Sequence, residues 1–184
     1  MGKEPQLFLC EWVIRVEDAF TGEITYESDP HRNLVVKGGR DLALRDIFGL
    51  TASTAVIAGC VGACSTAATV NDTTLAYEHI GNATRKALTN TSDAALTSSD
   101  IADVVYVDPI TSVTFYKKLP IKYSYLTSDG NINQPFREYS LNTSITLPTT
   151  PTGSSGTMFN RLVDSVTQTK TPTNVITVFV NIYA

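Results

Sequence analysis

Five side chains of this sequence have the chemistry to hold a soft metal ion: Cys10, Cys60, Cys64, His31 and His79. Zinc binds thiolate and imidazole in tetrahedral sets, and its structural sites show short, regular ligand spacings. The one close pair, Cys60-Val61-Gly62-Ala63-Cys64, has no second pair to match it. Both thiols lie among Ala, Gly and Val, where a free cysteine serves as a small apolar filler. An odd count of three also argues against a disulfide framework. For nucleophilic catalysis a Ser or Cys needs a neighbouring base, and His31, within Asp29-Pro30-His31-Arg32-Asn33, reads as a solvated turn histidine before a strand. There is no Gly-x-Ser-x-Gly elbow. Asp93, Asp100, Asp103 and Asp108 form an acidic scatter in which no glycosidase pair is marked, because that pairing is spatial. They read as loop and strand-end residues, without the residue order of a calcium loop. Lys37-Gly38-Gly39-Arg40 before a helix suggests an anion site, but without dinucleotide or Walker spacing it reads as a flexible strand-to-helix turn. The Asn-x-Ser/Thr matches at Asn71, Asn82, Asn90 and Asn142 follow from composition. No catalytic, cofactor-binding or metal-binding residue is therefore expected.

The totals point the same way. With 184 residues and 42% hydrophobic content, the chain can bury one sizeable core. Net charge is -4, and a pI near 5.1 leaves no basic surplus for gripping nucleic acid phosphates. Only 17% of residues are charged, below the usual quarter or so, and hydroxyls supply the polarity instead. The apolar run from Leu7 to Cys10 is too short for a signal peptide, and Gln6 breaks the myristoylation pattern begun by Met1-Gly2. No stretch approaches the roughly 18 apolar residues of a membrane helix. The expectation is a soluble product, cytoplasmic when made, with neither membrane nor nucleic acid as partner.

The elements that must carry these residues are mostly strands. Leu7 to Val16 reads as a strand, Asp18 to Gly22 as a turn and Glu23 to Glu27 as the returning strand of a hairpin. Asn33 to Val36 forms a short strand, followed by a helix from Arg40 to Phe48, with Leu44, Ile47 and Phe48 on one face and Gly49 as its cap. Thr51 to Thr73 is small-residue sequence with Val56-Ile57-Ala58 and Cys60-Val61 as its compact apolar pieces, and it reads as a short buried strand and a loop. Leu75 to Leu88 fits helix or strand, and Thr89 to Asp100 reads as a polar surface loop. Strands at Val104–Val107, Val113–Tyr116, Ile121–Tyr125, Phe136, Met158 and Val175 follow, separated by Pro and Gly punctuation. The predicted fold is mainly β, a sandwich-like or barrel-like antiparallel arrangement with one or two short helices. If Arg137 and Glu138 lie on a strand, they face opposite ways, and a buried one needs a partner. The crowded apolar strand Val175 to Ile182 should be covered on both faces.

Certain segments also recur in a fixed order. Asn33-Leu34-Val35-Val36-Lys37-Gly38-Gly39-Arg40-Asp41-Leu42 leads a strand into a helix. Ile57 to Asp72 gives a small-residue strand and a Thr/Asp loop, then Leu75 and Arg85-Lys86. Phe136-Arg137-Glu138-Tyr139-Ser140-Leu141 is followed by Gly156-Thr157-Met158-Phe159-Asn160-Arg161-Leu162, and Thr169-Lys170-Thr171 precedes the alternating strand Val175 to Ile182. This order resembles the amino-terminal domain of bacteriophage tail-collar and tail-fibre proteins, over residues 33 to 184. The Leu7–Glu27 hairpin is additional, which implies an extension at 1–32 before an attachment domain at 33–184. The Cys60–Cys64 loop also departs from the family's glycine-rich turn, and no shaft or receptor-binding tip follows.

The resemblance implies a noncatalytic virion structural protein of a tailed phage: a tail, collar, neck or baseplate adaptor subunit. The alternative on the same scaffold is a head decoration or cement protein. A third reading is a carbohydrate-binding or carbohydrate-cleaving virion protein that uses Tyr106, Tyr116, Tyr123 or Tyr125. Its expected partners are other virion proteins and further copies of itself in a symmetric assembly, made in the host cytoplasm and carried in the virion. The hydroxyl-rich loops Thr89–Asp100 and Thr149–Thr157 are the expected contact surfaces.

Overall fold

A period of two dominates the described chain. In β1 (Leu9–Asp18), Cys10, Trp12, Ile14 and Val16 are buried while the intervening positions are half-exposed, so one face of the strand meets a core. The computed structural model describes residues 8–47, 55–81, 83–129, 133 and 135–184. After β1 come β2 (Ile24–Glu27), β3 (His31–Val35), α1 (Lys37–Ile47), β4 (Ala58–Gly62) and β5 (Arg85–Ala87). A 3-10 turn at Ser98–Asp100 precedes β6 (Ala102–Val107), β7 (Thr114–Tyr125), β8 (Pro135–Asn142), β9 (Met158–Thr169) and β10 (Asn174–Tyr183). The fold is mainly β, with two antiparallel sheets and a single short α-helix among the described residues. Residues 1–7, the expected helix end at Phe48 and Gly49, the start of the small-residue segment and Asn82 lie outside the described residues.

The sheets join through β3, which pairs with β1 at His31–Asn33 and with β9 at Leu34–Val35, giving the order β5-β4-β8-β9-β3-β1-β10-β7-β6. The two flanks also meet: Thr89 and Lys122 exchange backbone hydrogen bonds of 2.9 Å, linking the chain beyond β5 to β7. The sheet thus curls around one interior, filled by Trp12, Ile14, Tyr123, Tyr125, Phe136, Tyr139, Leu141 and Val178. Gly59 on β4 faces this interior, and a Cβ there would sit 2.4 Å from the Tyr123 ring, so only glycine lets the ring lie against the strand.

Several expectations need correction. β1 pairs with β10 along its length and with β3, so the boundary expected after residue 32 falls inside a continuous sheet. The helix begins at Lys37 rather than Arg40, and Gly38 and Gly39 belong to it without positive φ. At Gly39 the reason is closeness, since a Cβ would lie 2.1 Å from the Phe159 carbonyl oxygen. Leu44 of the expected apolar helix face is exposed, while Phe48 lies outside the described residues. Val113–Tyr116 and Ile121–Tyr125 are one strand, β7, running through Leu119-Pro120. The Lys122 N–H points to Thr89, away from β10, so by alternation Pro120's missing N–H points the same way. There β6 has ended at the Ala102–Lys118 pair and the Thr89 bridge has not begun, so Pro120 forfeits no ladder bond.

Candidate functional site

The outer face of β4, β8 and β9 is covered by the segments 63–81 and 143–157, and it carries charge where a core would be expected. Arg85 Nε and Nη2 donate to the two carboxylate oxygens of Glu78 at 2.6 and 2.9 Å. Its Nη1 donates to the Ser144 and Ser155 carbonyls, both at 2.8 Å. Beside it, wholly buried Glu138 accepts from the Ala76 and Tyr77 N–H groups at 2.6 and 3.1 Å and from Arg161 Nε at 2.6 Å. Arg161 continues to Asp72 at 2.5 Å and to the Thr66 carbonyl at 3.0 Å. Burial would raise the Asp72 pKa, but Thr69 and Arg161 outweigh it and hold the carboxyl below its ordinary value. Arg85 spreads its fork over one carboxylate and two loop carbonyls and Arg161 over two carboxylates and one loop carbonyl, so two long irregular segments are fastened to the sheet by charge-assisted bonds.

At the rim of this frame lies a cleft of about 480 Å³, with Arg32, Asn33, Ser65, Arg137, Arg161 and Ser165 in its wall. A register break makes it. The pairs Phe136–Gln168 and Glu138–Val163 set two steps of β8 against five of β9, and the excess on β9 bulges outward at 165–167, just past Asp164. Asp164 is fully buried; its Oδ1 accepts the Val166 N–H at 2.9 Å and faces His31 Nε2 at 3.5 Å. Arg137, displaced to the same rim, donates Nε to the Asp164 carbonyl at 3.2 Å.

The residues singled out for chemistry are dispersed. Cys10 is in the interior, Cys60 on the opposite face of its sheet against Val36, Leu75 and Met158, and Cys64 in the loop beyond. Burial pushes both the Cys10 and Cys60 thiols up to about 12. Among the described residues no three His, Cys, Asp or Glu side chains come together. His31 is not a solvated turn residue, since it opens β3 and faces Asp164. His79 is buried, its Nε2 2.9 Å from the Pro135 carbonyl and its ring against Phe136.

The acidic residues serve separate local tasks. Asp93 pairs with Lys122, Asp100 accepts from Asn90 and Thr97, Asp103 pairs with Lys117, and Asp108 pairs with Arg32. Burial opposes ionisation of Asp108, but Thr111, the Ile110 N–H and Arg32 together pull it down to about 2. Of the tyrosines weighed for sugar binding, Tyr123 and Tyr125 are buried, Tyr106 stacks on Tyr183 at 4.3 Å, and Tyr116 is exposed. Asn142 is buried, and Asn90 closes its own turn by accepting from Ser92 and Ala94. Arg161 and Arg85 went unrecognised as buried cations, although both sit in the ordered motifs; their signal was an arginine within an apolar or small-residue strand.

The class of protein defined by these features is a mainly β body of two antiparallel sheets with an ion-paired outer face. Comparison with family models, with curated proteins and with solved structures finds no match for this chain.

Proposed function

We propose that this chain is a noncatalytic structural subunit of a tailed phage particle, placed in the tail, collar, neck or baseplate and assembled through repeated protein contacts. The observation that carries this reading is the open edge at β6. Among the described residues β6 pairs only with β7, so its outer backbone groups are free to add a strand. Its inward positions, Val104 and Tyr106, pack on Phe115 and Tyr183, while Val105 and Val107 point outward, 78% and 54% exposed. Ile110 and Tyr116 extend the patch, at 67% and 62% exposed. Of the devices that blunt such edges in monomeric proteins, proline is absent from β6 and its one charged side chain, Asp103, pairs with Lys117, while a β-bulge between Asp103 and Tyr106 kinks the strand and leaves Val105 and Val107 directed outward. A neighbouring subunit of the same particle is the occupant that suits it.

The test is a Val105→Lys, Val107→Lys double variant followed into particles. The isolated protein should keep its circular dichroism spectrum, because both side chains are exposed, while incorporation should fall sharply. Normal incorporation would remove β6 from the interface. Absence of the wild-type chain from purified particles would overturn the structural-protein reading itself.

A further inference from the structure

The negative charge of this chain is concentrated in one place. From Arg15 to Asp29 the sequence sets five carboxylates, Glu17, Asp18, Glu23, Glu27 and Asp29, against the single Arg15, a balance of -4 that equals the net charge of the whole chain. Everything outside this stretch is therefore neutral in sum. Arg15 pairs with Glu27 at 2.6 Å, while Glu23 and Asp29 have no cationic partner among the described residues. The arm β2 pairs with β1 alone and three of its four residues are exposed, so the hairpin stands off the body.

The tip of the same hairpin presents an aromatic ring. Phe20 is 82% exposed, more than any other large apolar side chain among the described residues, and Ile24 just beyond the turn is 50% exposed. Single apolar residues at a surface are ordinary, but this one is held in place. Asp18 Oδ1 accepts the Phe20 and Thr21 N–H groups at 2.9 and 2.8 Å and the Thr21 hydroxyl at 3.1 Å. Gly22, with a φ of +72°, donates its N–H to the Asp18 carbonyl at 2.9 Å, and the Ala19 N–H reaches the Thr173 carbonyl at 2.9 Å. A ring held out on a fixed turn loses little freedom on docking, which suits it to be an anchor. Its surround is acidic, since Glu17 lies opposite Ile24 and Asp18 and Glu23 close the base of the turn.

Charge identifies the surface that meets such a tip: an apolar pocket rimmed by Lys or Arg complements an aromatic ring in an acidic collar, and an acidic rim opposes it. A second copy of this chain is poorly equipped for that role, because most of its described lysines and arginines already face carboxylates of their own chain. The turn is also remote from the β6 edge. Asp18 pairs with Asn174 at one end of the β1–β10 ladder, whereas the Leu9–Tyr183 pair at the other end adjoins Lys118, opposite which β6 begins. The ten residues of β1 set the two surfaces roughly 30 Å apart.

We infer that the β1–β2 turn is a second docking element, with Phe20 as an anchor that enters an apolar pocket rimmed by basic side chains on a different protein of the particle. The inference rests on the assembly reading of this chain and adds a second neighbour to it.

The experiment places the photo-cross-linker benzoylphenylalanine at position 20 and, separately, at position 24 of the full chain during particle assembly, with adducts mapped by peptide mass. The expected adduct is with a different particle protein, at a peptide that combines apolar residues with Lys or Arg. In competition with the wild-type chain for incorporation, Phe20→Ser should be under-represented about tenfold or more, and Glu17→Gln with Glu23→Gln about threefold or more, with thermal melts showing the isolated variants folded. Adducts with a second copy alone, no adduct from either position in particles that contain the chain, or equal incorporation of Phe20→Ser would each overturn the anchor and leave the β6 edge to its own test. Equal incorporation of the glutamine pair would overturn the basic rim. Absence of the wild-type chain from particles would overturn the assembly reading, and this inference with it.

Discussion

Glu138 shows how much rests on single side chains in this protein. It is a wholly buried carboxylate whose one cationic partner at hydrogen-bond distance, among the described residues, is Arg161. Removing one member of a buried pair costs about 3–5 kcal/mol, because the other is left charged without compensation. Arg161→Ala should therefore lower unfolding stability by about that amount in urea titrations, while Arg45→Ala, at an exposed pair with Asp41, should change it by less than about 1 kcal/mol. Asp108 belongs to the same scale. Its folded pKa lies below the ordinary value, so its contribution is present in full above about pH 4 and is lost as pH falls through about 2. Melting temperature should drop through that window, and Asp108→Asn should flatten this part of the profile while lowering stability at neutral pH. The thiols give a third check. Burial keeps Cys10 and Cys60 protonated and enclosed, whereas Cys64 is partly exposed in its loop. Iodoacetamide should label one site per native chain, at Cys64, and three after denaturation, as read by peptide mass. Native labelling at Cys60 would contradict the packing described for β4.

At the scale of elements, β10 sits between β1 and β7, with Ile176, Val178 and Val180 directed inward. Deleting residues 175–184 should give insoluble protein, because the deletion exposes two long strand edges at once. Gly59→Ala should destabilise by about 1–3 kcal/mol through overpacking against Tyr123, measurable in the same urea titrations. These elements differ in how legible they were. The strands of the second half showed plainly, because valine, tyrosine and phenylalanine alternate there with polar residues. The junction at Pro120 misled, since the cost of a proline depends on which side of a strand lacks a neighbour, and that is a tertiary fact. The start of α1 misled for a related reason: Gly38-Gly39 reads as a breaker in sequence, but what it provides is close contact with Phe159. The candidate site was hardly legible. Arg137 and Glu138 were expected to face opposite ways on a strand, but Phe136 and Tyr139 both fill the interior, so neither residue between them does, and the β9 bulge that sets Arg137 at the rim depends on how β8 and β9 count against each other.

For the whole molecule, the loops expected to make contacts can be tested with better placed substitutions. Ser98 is exposed, but Ser155 is partly buried, bonded to Ser144 and seated where its carbonyl holds Arg85, so a lysine there would disturb the fold as well as the surface. Ser98→Lys with Ser154→Lys is the cleaner pair. It should leave melting unchanged within about 0.5 kcal/mol and reduce incorporation into particles, since like charges repeated around a symmetric contact oppose association. Unchanged incorporation would place these loops outside the interface. The pairing of β1 with β10 bears on how the molecule comes into being. Leu9 lies opposite Tyr183, so the first described strand has its longest ladder with the last, across almost the entire chain. On the ribosome, Trp12 and Ile14 must therefore wait, uncovered, until β10 has been made. Folding should be slow and late, and a chain stalled a few residues short of β10 should be a substrate for chaperones.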